Sequence, residues 1–143
     1  MNVLIAEDEQ LAAERIQELL NICAPEAAVV EQVDSVEDAI AYLRLGKRID
    51  LLLLDIQLAD GKSFEIFEKI STDVPVIFTT AYDQYAIQAF RFYSIDYLLK
   101  PIQQDDFQRA IDKFRRRTTG TTLEPIEITA LRDLLSKPSR TFK

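Results

Sequence analysis

Acidic, hydroxyl and amino side chains follow strand-like apolar runs at four places in this sequence. They are Glu7-Asp8 after the first run, Asp55 after the third, Thr79-Thr80 after the fourth and Lys100 after the fifth. Two like charges about 4 Å apart repel by roughly 4 kcal/mol in a protein-like dielectric, so carboxylates gathered at one place need compensation. Protonation is one outlet, and a hard divalent cation such as Mg²⁺ is the other. A metal and Lys100 can also offset charge on phosphoryl oxygens, so these groups together suit phosphoryl transfer onto Asp55.

The apolar runs that must position these groups alternate with stretches of helical periodicity. The strand-like runs are Val3–Ala6, Ala28–Val33, Leu51–Leu54, Val74–Phe78 and Ile95–Leu99. Leu51–Leu54 is apolar without alternation, which is typical of a strand covered on both faces. The pattern predicts a doubly wound α/β domain over residues 1–117, with a five-stranded parallel sheet and five helices. Ligands on such sheets collect outside the carboxyl ends of the strands, where the polar groups stand.

Local signals support the helices. The first helical stretch carries an apolar stripe of Ala12, Ile16, Leu19, Leu20 and Cys23, and the last a stripe of Phe107, Ala110, Ile111 and Phe114. Ser35, with Asp38 three residues on, is expected to cap a helix N-terminus. Cys23 is the single cysteine of the chain, and its place on a stripe predicts a packed thiol.

Composition excludes several classes of function. The 143 residues are 48% hydrophobic and 29% charged, as in a folded globular domain. Histidine is absent, which removes histidine-based acid/base catalysis and the role of phosphohistidine donor. The formal charge of −7 argues against nucleic-acid binding by this segment. The apolar runs are far shorter than the roughly 20 residues of a membrane span, and no secretory signal is recognisable, so a cytoplasmic protein without membrane contact is expected.

Residues 118–143 have the character of a linker. Thr118–Thr122 contains a glycine and predicts a flexible joint, and Ile128–Leu135 predicts a short amphipathic helix that Pro138 stops. The chain ends soon after without a stop signal of its own, so we expect it to lead to a further C-terminal domain.

Four segments resemble the receiver domains of bacterial response regulators, in order and at the spacing of that family. They are Val3–Glu9, Leu51–Asp55 with Gly61 six residues on, Phe78–Ala81 and Tyr97–Pro101. The resemblance spans the chain up to Arg117 and implies a flavodoxin-like sheet with strand order 2-1-3-4-5. It also implies a sensor histidine kinase as phosphodonor. The implied chemistry is self-catalysed, Mg²⁺-dependent phosphotransfer followed by slow dephosphorylation, which is not a conventional enzyme activity.

Carried over to this chain, the resemblance makes Asp55 the phosphoacceptor. Glu7 and Asp8 become the acidic pair that holds Mg²⁺, with Asp8 favoured as the direct ligand. Gln57 is expected to offer its backbone carbonyl to the same ion. Lys100 is expected to pair with the phosphoryl group.

The same resemblance assigns the residues around the phosphoryl group. Thr80 is expected to hydrogen-bond it, and Ala81 to leave room for it. Gln57 and Tyr82, two residues past Asp55 and Thr80, are expected to influence how long the group lasts. Tyr97 matches an aromatic switch position, expected to turn inward when Thr80 moves, and Pro101 is expected to follow a cis peptide bond.

The finer pattern Thr80–Ala86 followed by Ile95–Ile102 is similar to the receivers of LytTR-type transcription regulators. It implies a linker leading to a LytTR DNA-binding domain, whose basic and aromatic first strand Arg140–Lys143 would begin, so that DNA is contacted only through that domain. Phosphorylation is then expected to switch a homodimer formed through the fourth helix, the fifth strand and the fifth helix.

Two alternative functions each need residues that this chain lacks. A haloacid-dehalogenase-type phosphatase needs a second acid two residues after its aspartyl nucleophile, where this chain has Gln57. A flavodoxin-like cofactor carrier needs a Gly/Ser/Thr-rich phosphate loop after the first strand, where this loop is acidic. A choice remains between a receiver that controls an attached DNA-binding domain and a stand-alone receiver acting through protein contacts. The full reading frame decides it.

Overall fold

The computed structural model describes residues 1–82 and 94–117. The strands are β1 Asn2–Ala6, β2 Ala28–Val33, β3 Leu51–Asp55, β4 Gln57–Leu58, β5 Gly61–Lys62, β6 Val76–Thr80 and β7 Asp96–Leu99. Five of them form a parallel sheet in the order β2-β1-β3-β6-β7, and β4 pairs with β5 in a small antiparallel hairpin. When only the parallel strands are counted, this is the order 2-1-3-4-5, so the predicted α/β fold is confirmed.

Four helices lie within the described ranges: α1 Gln10–Cys23, α2 Val36–Arg44, α3 Phe64–Lys69 and α4 Gln104–Arg116. The remaining helix of the five that the sequence predicts falls on residues 83–93, which lie outside the described residues. The linker and short helix predicted within residues 118–143 lie outside them as well. In the described part of the chain, every helix is too short or too polar to cross a lipid bilayer.

The strand β3 is buried along its whole length because helices cover both faces of the sheet. Leu52 and Leu54 lie in the core cluster that α2 and α3 complete, and Leu51 and Leu53 lie in the cluster that α1 and α4 complete. A run of four leucines without a polar break is therefore what this position in the sheet requires.

The helical stripes agree with the sequence except at one residue. The helix α4 buries Phe107, Ala110, Ile111 and Phe114. The helix α1 buries Ala13, Ile16, Leu19, Leu20 and Cys23. The prediction that Ala12 belongs to the buried stripe was wrong by one position, since Ala12 is partly exposed and Ala13 is buried instead. The sequence does not distinguish them, because Ala12 and Ala13 both satisfy helical spacing to Ile16. Cys23 is packed as predicted, and burial raises the pKa of its thiol.

The strand β6 begins at Val76, two residues later than the run Val74–Phe78 predicts, and ends with Thr79-Thr80. Pro75 has no backbone N–H to donate to a strand ladder, although its carbonyl accepts a hydrogen bond of 2.9 Å from the N–H of Leu52. The shift places both threonines inside the strand, at the edge of the sheet where the other polar groups lie.

The N-terminus of α2 is held from two sides. The hydroxyl of Ser35 accepts a hydrogen bond of 3.0 Å from the N–H of Asp38, as predicted. The carboxylate of Asp60, between β4 and β5, accepts hydrogen bonds from the N–H groups of Val36 and Glu37 at 2.7 and 3.1 Å. These two bonds were not predicted. They fix the small hairpin that follows β3 against α2.

Candidate functional site

The carboxyl ends of four parallel strands bring the predicted polar residues together. Asp55 pairs with Thr79 in the register of β3 and β6. Glu7 and Lys100 directly follow the last residues of β1 and β7. The N–H of Lys100 donates a hydrogen bond of 2.8 Å to the carbonyl of Thr80. The convergence that the sequence predicts at this edge of the sheet is therefore present.

Lys100 is the positive centre of the site. Its Nζ lies 2.7 Å from Oε1 of Glu7 and 3.0 Å from Oδ2 of Asp55. The side chains of Lys100, Glu7 and Asp55 are 15%, 0% and 6% exposed, so these ion pairs are shielded from water. Breaking one of them would leave a buried charge uncompensated. The peptide bond between Lys100 and Pro101 is cis, as the resemblance implies.

Burial and mutual repulsion shift the pKa values of the charged groups. Burial raises the pKa of Glu7; Lys100 opposes the shift and Asp55 adds to it. Partial desolvation raises the pKa of Asp8, although its side chain faces solvent, and the charge of Glu7 adds to that rise. Burial alone would lower the pKa of Lys100, but Glu7 and Asp55 outweigh it and raise the pKa to about 12. Lys100 is therefore protonated at neutral pH, and one ammonium group faces a cluster of acids.

Three carboxylates form a compact set of oxygen ligands. Glu7, Asp8 and Asp55 each place one oxygen within 4.8 Å of the others, and Asp8 is the exposed member. Oε1 of Glu7 is buried, and among the described residues its polar partner is the ammonium group of Lys100 at 2.7 Å. Carboxylate oxygens this close together, one of them facing solvent, fit a hard cation that retains several waters, as Mg²⁺ does.

Gln57 lies next to this set through its backbone. Its N–H donates a hydrogen bond of 3.2 Å to Oδ1 of Asp55, and its side chain is exposed. Within residues 1–82 and 94–117, each oxygen of Asp55 has one polar partner, Gln57 on Oδ1 and Lys100 on Oδ2. Since a carboxylate accepts about four hydrogen bonds, each oxygen retains lone pairs for a metal or a reaction.

Thr80 and Tyr97 are linked through the backbone of Tyr82. Oγ1 of Thr80 accepts a hydrogen bond of 3.2 Å from the N–H of Tyr82, and the hydroxyl of Tyr97 donates to the carbonyl of Tyr82. Thr80 is buried and Tyr97 is 1% exposed. The resemblance implies that Tyr97 turns inward when Thr80 moves, and in this structure Tyr97 already lies inward. The hydroxyl at the site and the aromatic ring are two ends of one hydrogen-bonded path.

One contact of Lys100 was not predicted. Oε1 of Glu9 lies 3.4 Å from Nζ of Lys100. In the sequence, Glu9 continues the acidic run Glu7-Asp8 at the start of a helix, and this position explains an acidic residue without any contact to Lys100. Its residue type was the one sign of another role, because glutamate is not among the preferred N-cap residues.

Comparison with known proteins identifies relatives over most of the chain. A family model described as "Response regulator receiver domain" matches residues 3–112. "Sensory transduction protein LytT" from Bacillus cereus is 37% identical over 120 residues, which cover 82% of this chain and 48% of that protein. "Transcriptional regulatory protein LytR" from Staphylococcus aureus is 35% identical over 120 residues, covering 80% of this chain and 47% of that protein. The chain thus spans about half the length of the curated relatives it matches.

A solved structure gives the same result for the fold. The response regulatory domain of protein mrkE from Klebsiella pneumoniae superimposes with a TM-score of 0.73 at 26% sequence identity. The match covers 81% of this chain and 96% of that one. The sheet and its covering helices therefore have the arrangement of a known signalling domain.

Proposed function

The chain belongs to the response regulator receiver family, as a receiver domain of the LytT/LytR type, and from that premise we propose that it accepts a phosphoryl group on Asp55. The observation that supports this most is the position of Asp55. It is a buried carboxylate in contact with Lys100 and within 4.8 Å of two further carboxylates. Such a site has both a nucleophile and the charges that phosphoryl transfer needs.

In the proposed reaction, a carboxylate oxygen of Asp55 attacks phosphorus and forms a new P–O bond. The bond between phosphorus and the donor breaks, and its electron pair leaves with the donor. The leaving atom is an imidazole nitrogen of a sensor histidine kinase, or an acetate oxygen when acetyl phosphate is the donor. Lys100 lies 3.0 Å from Oδ2 of Asp55 before the reaction, so a cation is preorganised beside the arriving phosphoryl oxygens.

We propose Glu7, Asp8 and Asp55 as the side chains that hold Mg²⁺, with the backbone carbonyl of Gln57 as a further oxygen ligand. When bound, Mg²⁺ offsets charge on the phosphoryl oxygens and relieves repulsion among the carboxylates. The spacing of the three carboxylates, whose oxygens lie within 4.8 Å of one another, supports this assignment. The solvent exposure of Asp8 gives the ion a route of entry.

The phosphoryl group is proposed to act through Thr80. When the hydroxyl of Thr80 turns to the phosphoryl group, it releases the N–H of Tyr82. The carbonyl of Tyr82 accepts the hydrogen bond from the hydroxyl of Tyr97 on β7. The strand β7 is joined to α4 by an ion pair of 3.1 Å between Asp96 and Lys113. These two elements, with the helix predicted between β6 and β7, form the proposed dimer face.

The energetic demand of such a switch is moderate. Moving an equilibrium from 1:99 to 99:1 takes about 5.5 kcal/mol. A few charge-assisted hydrogen bonds of roughly 1.5–3 kcal/mol each can supply it.

We further propose that the receiver controls a DNA-binding LytTR domain that follows it in the whole protein. The match covers 48% of the relative named LytT and 47% of the relative named LytR, and the second is named as a transcriptional regulator. The charge of −7 argues against contact between this segment and DNA, which is consistent with a separate DNA-binding domain. A stand-alone receiver that acts through protein contacts in the cytoplasm is the alternative, and the full reading frame distinguishes the two.

The first test is the mass of the intact protein after incubation with acetyl phosphate, with and without Mg²⁺. We expect one phosphoryl adduct on the wild type that requires Mg²⁺, and none on Asp55→Asn. The matched control is Asp73→Asn, because Asp73 is an exposed aspartate that precedes β6, and it should be phosphorylated like the wild type. An adduct that persists on Asp55→Asn, or no adduct with any small donor, would overturn the proposal.

The dimer is tested separately by light scattering in the presence of beryllofluoride, which mimics the phosphoryl group. We expect the apparent mass to rise towards that of a dimer as the protein concentration increases. A monomer at every concentration would contradict the proposed dimer face and leave the phosphorylation chemistry untouched.

A further inference from the structure

Glu9 places a solvent-facing carboxylate on Lys100. Its Oε1 lies 3.4 Å from Nζ, and its side chain is 70% exposed. The other two carboxylates on this ammonium group, those of Glu7 and Asp55, are buried. In the part of the chain that the structure describes, Lys100 therefore has two acidic partners inside the site and one at its surface.

The side chain of Glu9 is not used by the helix that it precedes. Its carbonyl accepts a hydrogen bond of 3.0 Å from the N–H of Ala13, but its carboxylate makes no capping hydrogen bond to α1. Serine, threonine, aspartate and asparagine are the residues that cap well at this position. The N–H of Glu9 donates a hydrogen bond of 3.1 Å to Oε2 of Glu7. The backbone of Glu9 thus steadies the buried acid, and its side chain extends to Lys100.

This position matters for an incoming phosphodonor. Small donors such as acetyl phosphate are anions, and their phosphorus must reach Asp55 beside Lys100. The repulsion from Glu7, Asp8 and Asp55 can be offset by a cation bound among them, whereas Glu9 is not a member of that carboxylate set. Its charge remains at the surface of the site, where it repels an anionic donor and occupies the ammonium group that the donor needs.

We propose that Glu9 is a specificity-determining residue that disfavours phosphorylation of Asp55 by small anionic donors. This inference rests on the proposed function of Asp55 as phosphoacceptor. The effect is on encounter with the donor rather than on the chemical step, because Lys100 retains Glu7 and Asp55 as partners when Glu9 is removed.

The test compares kcat/KM for phosphorylation of Asp55 in the wild type and in Glu9→Gln at saturating Mg²⁺. At low ionic strength we expect Glu9→Gln to react roughly three- to tenfold faster with acetyl phosphate, mainly through a lower KM. The gain should be smaller with phosphoramidate, which carries less negative charge. It should vanish near 1 M salt, where charges are screened beyond about 3 Å.

Two further variants separate charge from packing. Glu14→Gln removes an exposed carboxylate of α1 that hydrogen-bonds Gln10, and it should change the rate less than twofold by the same electrostatic reasoning. Glu9→Asp keeps the charge with a shorter side chain and should remain as slow as the wild type.

The inference is overturned by a Glu9→Gln rate equal to or below that of the wild type, or by an equal gain in Glu14→Gln or Glu9→Asp. A wild type that gains no phosphoryl group on Asp55 from any donor overturns the proposed function itself, and this inference with it. These outcomes differ in whether the wild type carries the adduct.

Discussion

Nζ of Lys100 lies 3.0 Å from Oδ2 of Asp55, and this contact joins the end of β7 to the end of β3 across the intervening strand β6. The same ammonium group lies 2.7 Å from Glu7 at the end of β1. One cation therefore holds together buried acids from two strands. Lys100 is a structural counter-ion as well as the proposed partner of the phosphoryl group.

We expect Lys100→Met to lower the free energy of unfolding by about 3 kcal/mol in the presence of a chelator, because removal of one member of a buried ion pair leaves the others uncompensated. Urea denaturation measures the change. The matched control is Lys113→Met, whose ion pair with Asp96 is more exposed, and it should cost about 1 kcal/mol or less.

The difference in the free energy of unfolding between the wild type and Lys100→Met should depend on pH through the pKa of Lys100. Folding raises that pKa from 10.5 to about 12, so the stabilisation by Lys100 is fully present below the unfolded value and is lost as the pH rises through the folded value. The gap between wild type and Lys100→Met should stay constant from about pH 7 to about pH 9 and shrink only in stronger alkali. A gap that already closes near neutral pH would contradict this account.

Removal of the metal ligands should abolish stabilisation by Mg²⁺. An ion that binds only the folded state at about 100 times its Kd adds about 2.7 kcal/mol to the free energy of unfolding, and Asp8→Asn should lose most of that gain. Folding raises the pKa of Asp8, so its charged form is disfavoured in the fold and the neutral amide should not destabilise the protein in a chelator. Asp73→Asn, at an exposed aspartate before β6, serves as the control and should keep the full response to Mg²⁺. An unchanged response in Asp8→Asn would remove Asp8 from the site.

The arrangement of the site could be predicted because it depends on features that are local in sequence. The unbroken run Leu51–Leu54 indicates a strand covered on both faces, and Asp55 must then stand at its end. The same reasoning places Glu7 and Lys100 at the ends of neighbouring strands. Parallel pairing brings such ends to one edge whatever the details of the loops.

Contacts made by long side chains or between distant turns could not be predicted in this way. Asp60 with Gly61 has the chemistry of a turn, and a turn is present, but the carboxylate bonds Val36, which is 24 residues away in sequence. Glu9 reaches Lys100 over 91 residues. Such contacts depend on the relative position of packed elements, which residue types alone do not specify.

Replacement of each of the adjacent threonines by valine should have opposite effects on stability. Thr79 is fully buried, and in the described part of the chain its hydroxyl has no hydrogen-bond partner. Thr79→Val removes a desolvated hydroxyl and should leave the free energy of unfolding unchanged or raise it by up to about 1 kcal/mol. Thr80→Val removes the acceptor for the N–H of Tyr82 and should lower the free energy of unfolding by about 1 kcal/mol. Urea denaturation of both variants decides; a clear loss of stability in Thr79→Val would show that its hydroxyl is bonded.

Tyr97→Phe should separate the switch from the chemistry. The substitution keeps the buried ring and removes the hydroxyl that donates to the carbonyl of Tyr82, so the ion pairs around Asp55 remain and the rate of phosphorylation should change less than about twofold. The path from Thr80 to β7 loses one hydrogen bond, worth about 0.5–1.5 kcal/mol. Since this bond is already present in the structure, only the part of its energy that differs between the two states affects dimerisation. The dimerisation constant of the phosphorylated protein should weaken by at most about twelvefold, as measured by analytical ultracentrifugation with beryllofluoride. Tyr42→Phe, which alters a partly buried tyrosine on α2, should leave that constant unchanged. Equal dimerisation of Tyr97→Phe and wild type would mean that the hydroxyl of Tyr97 does not transmit the signal.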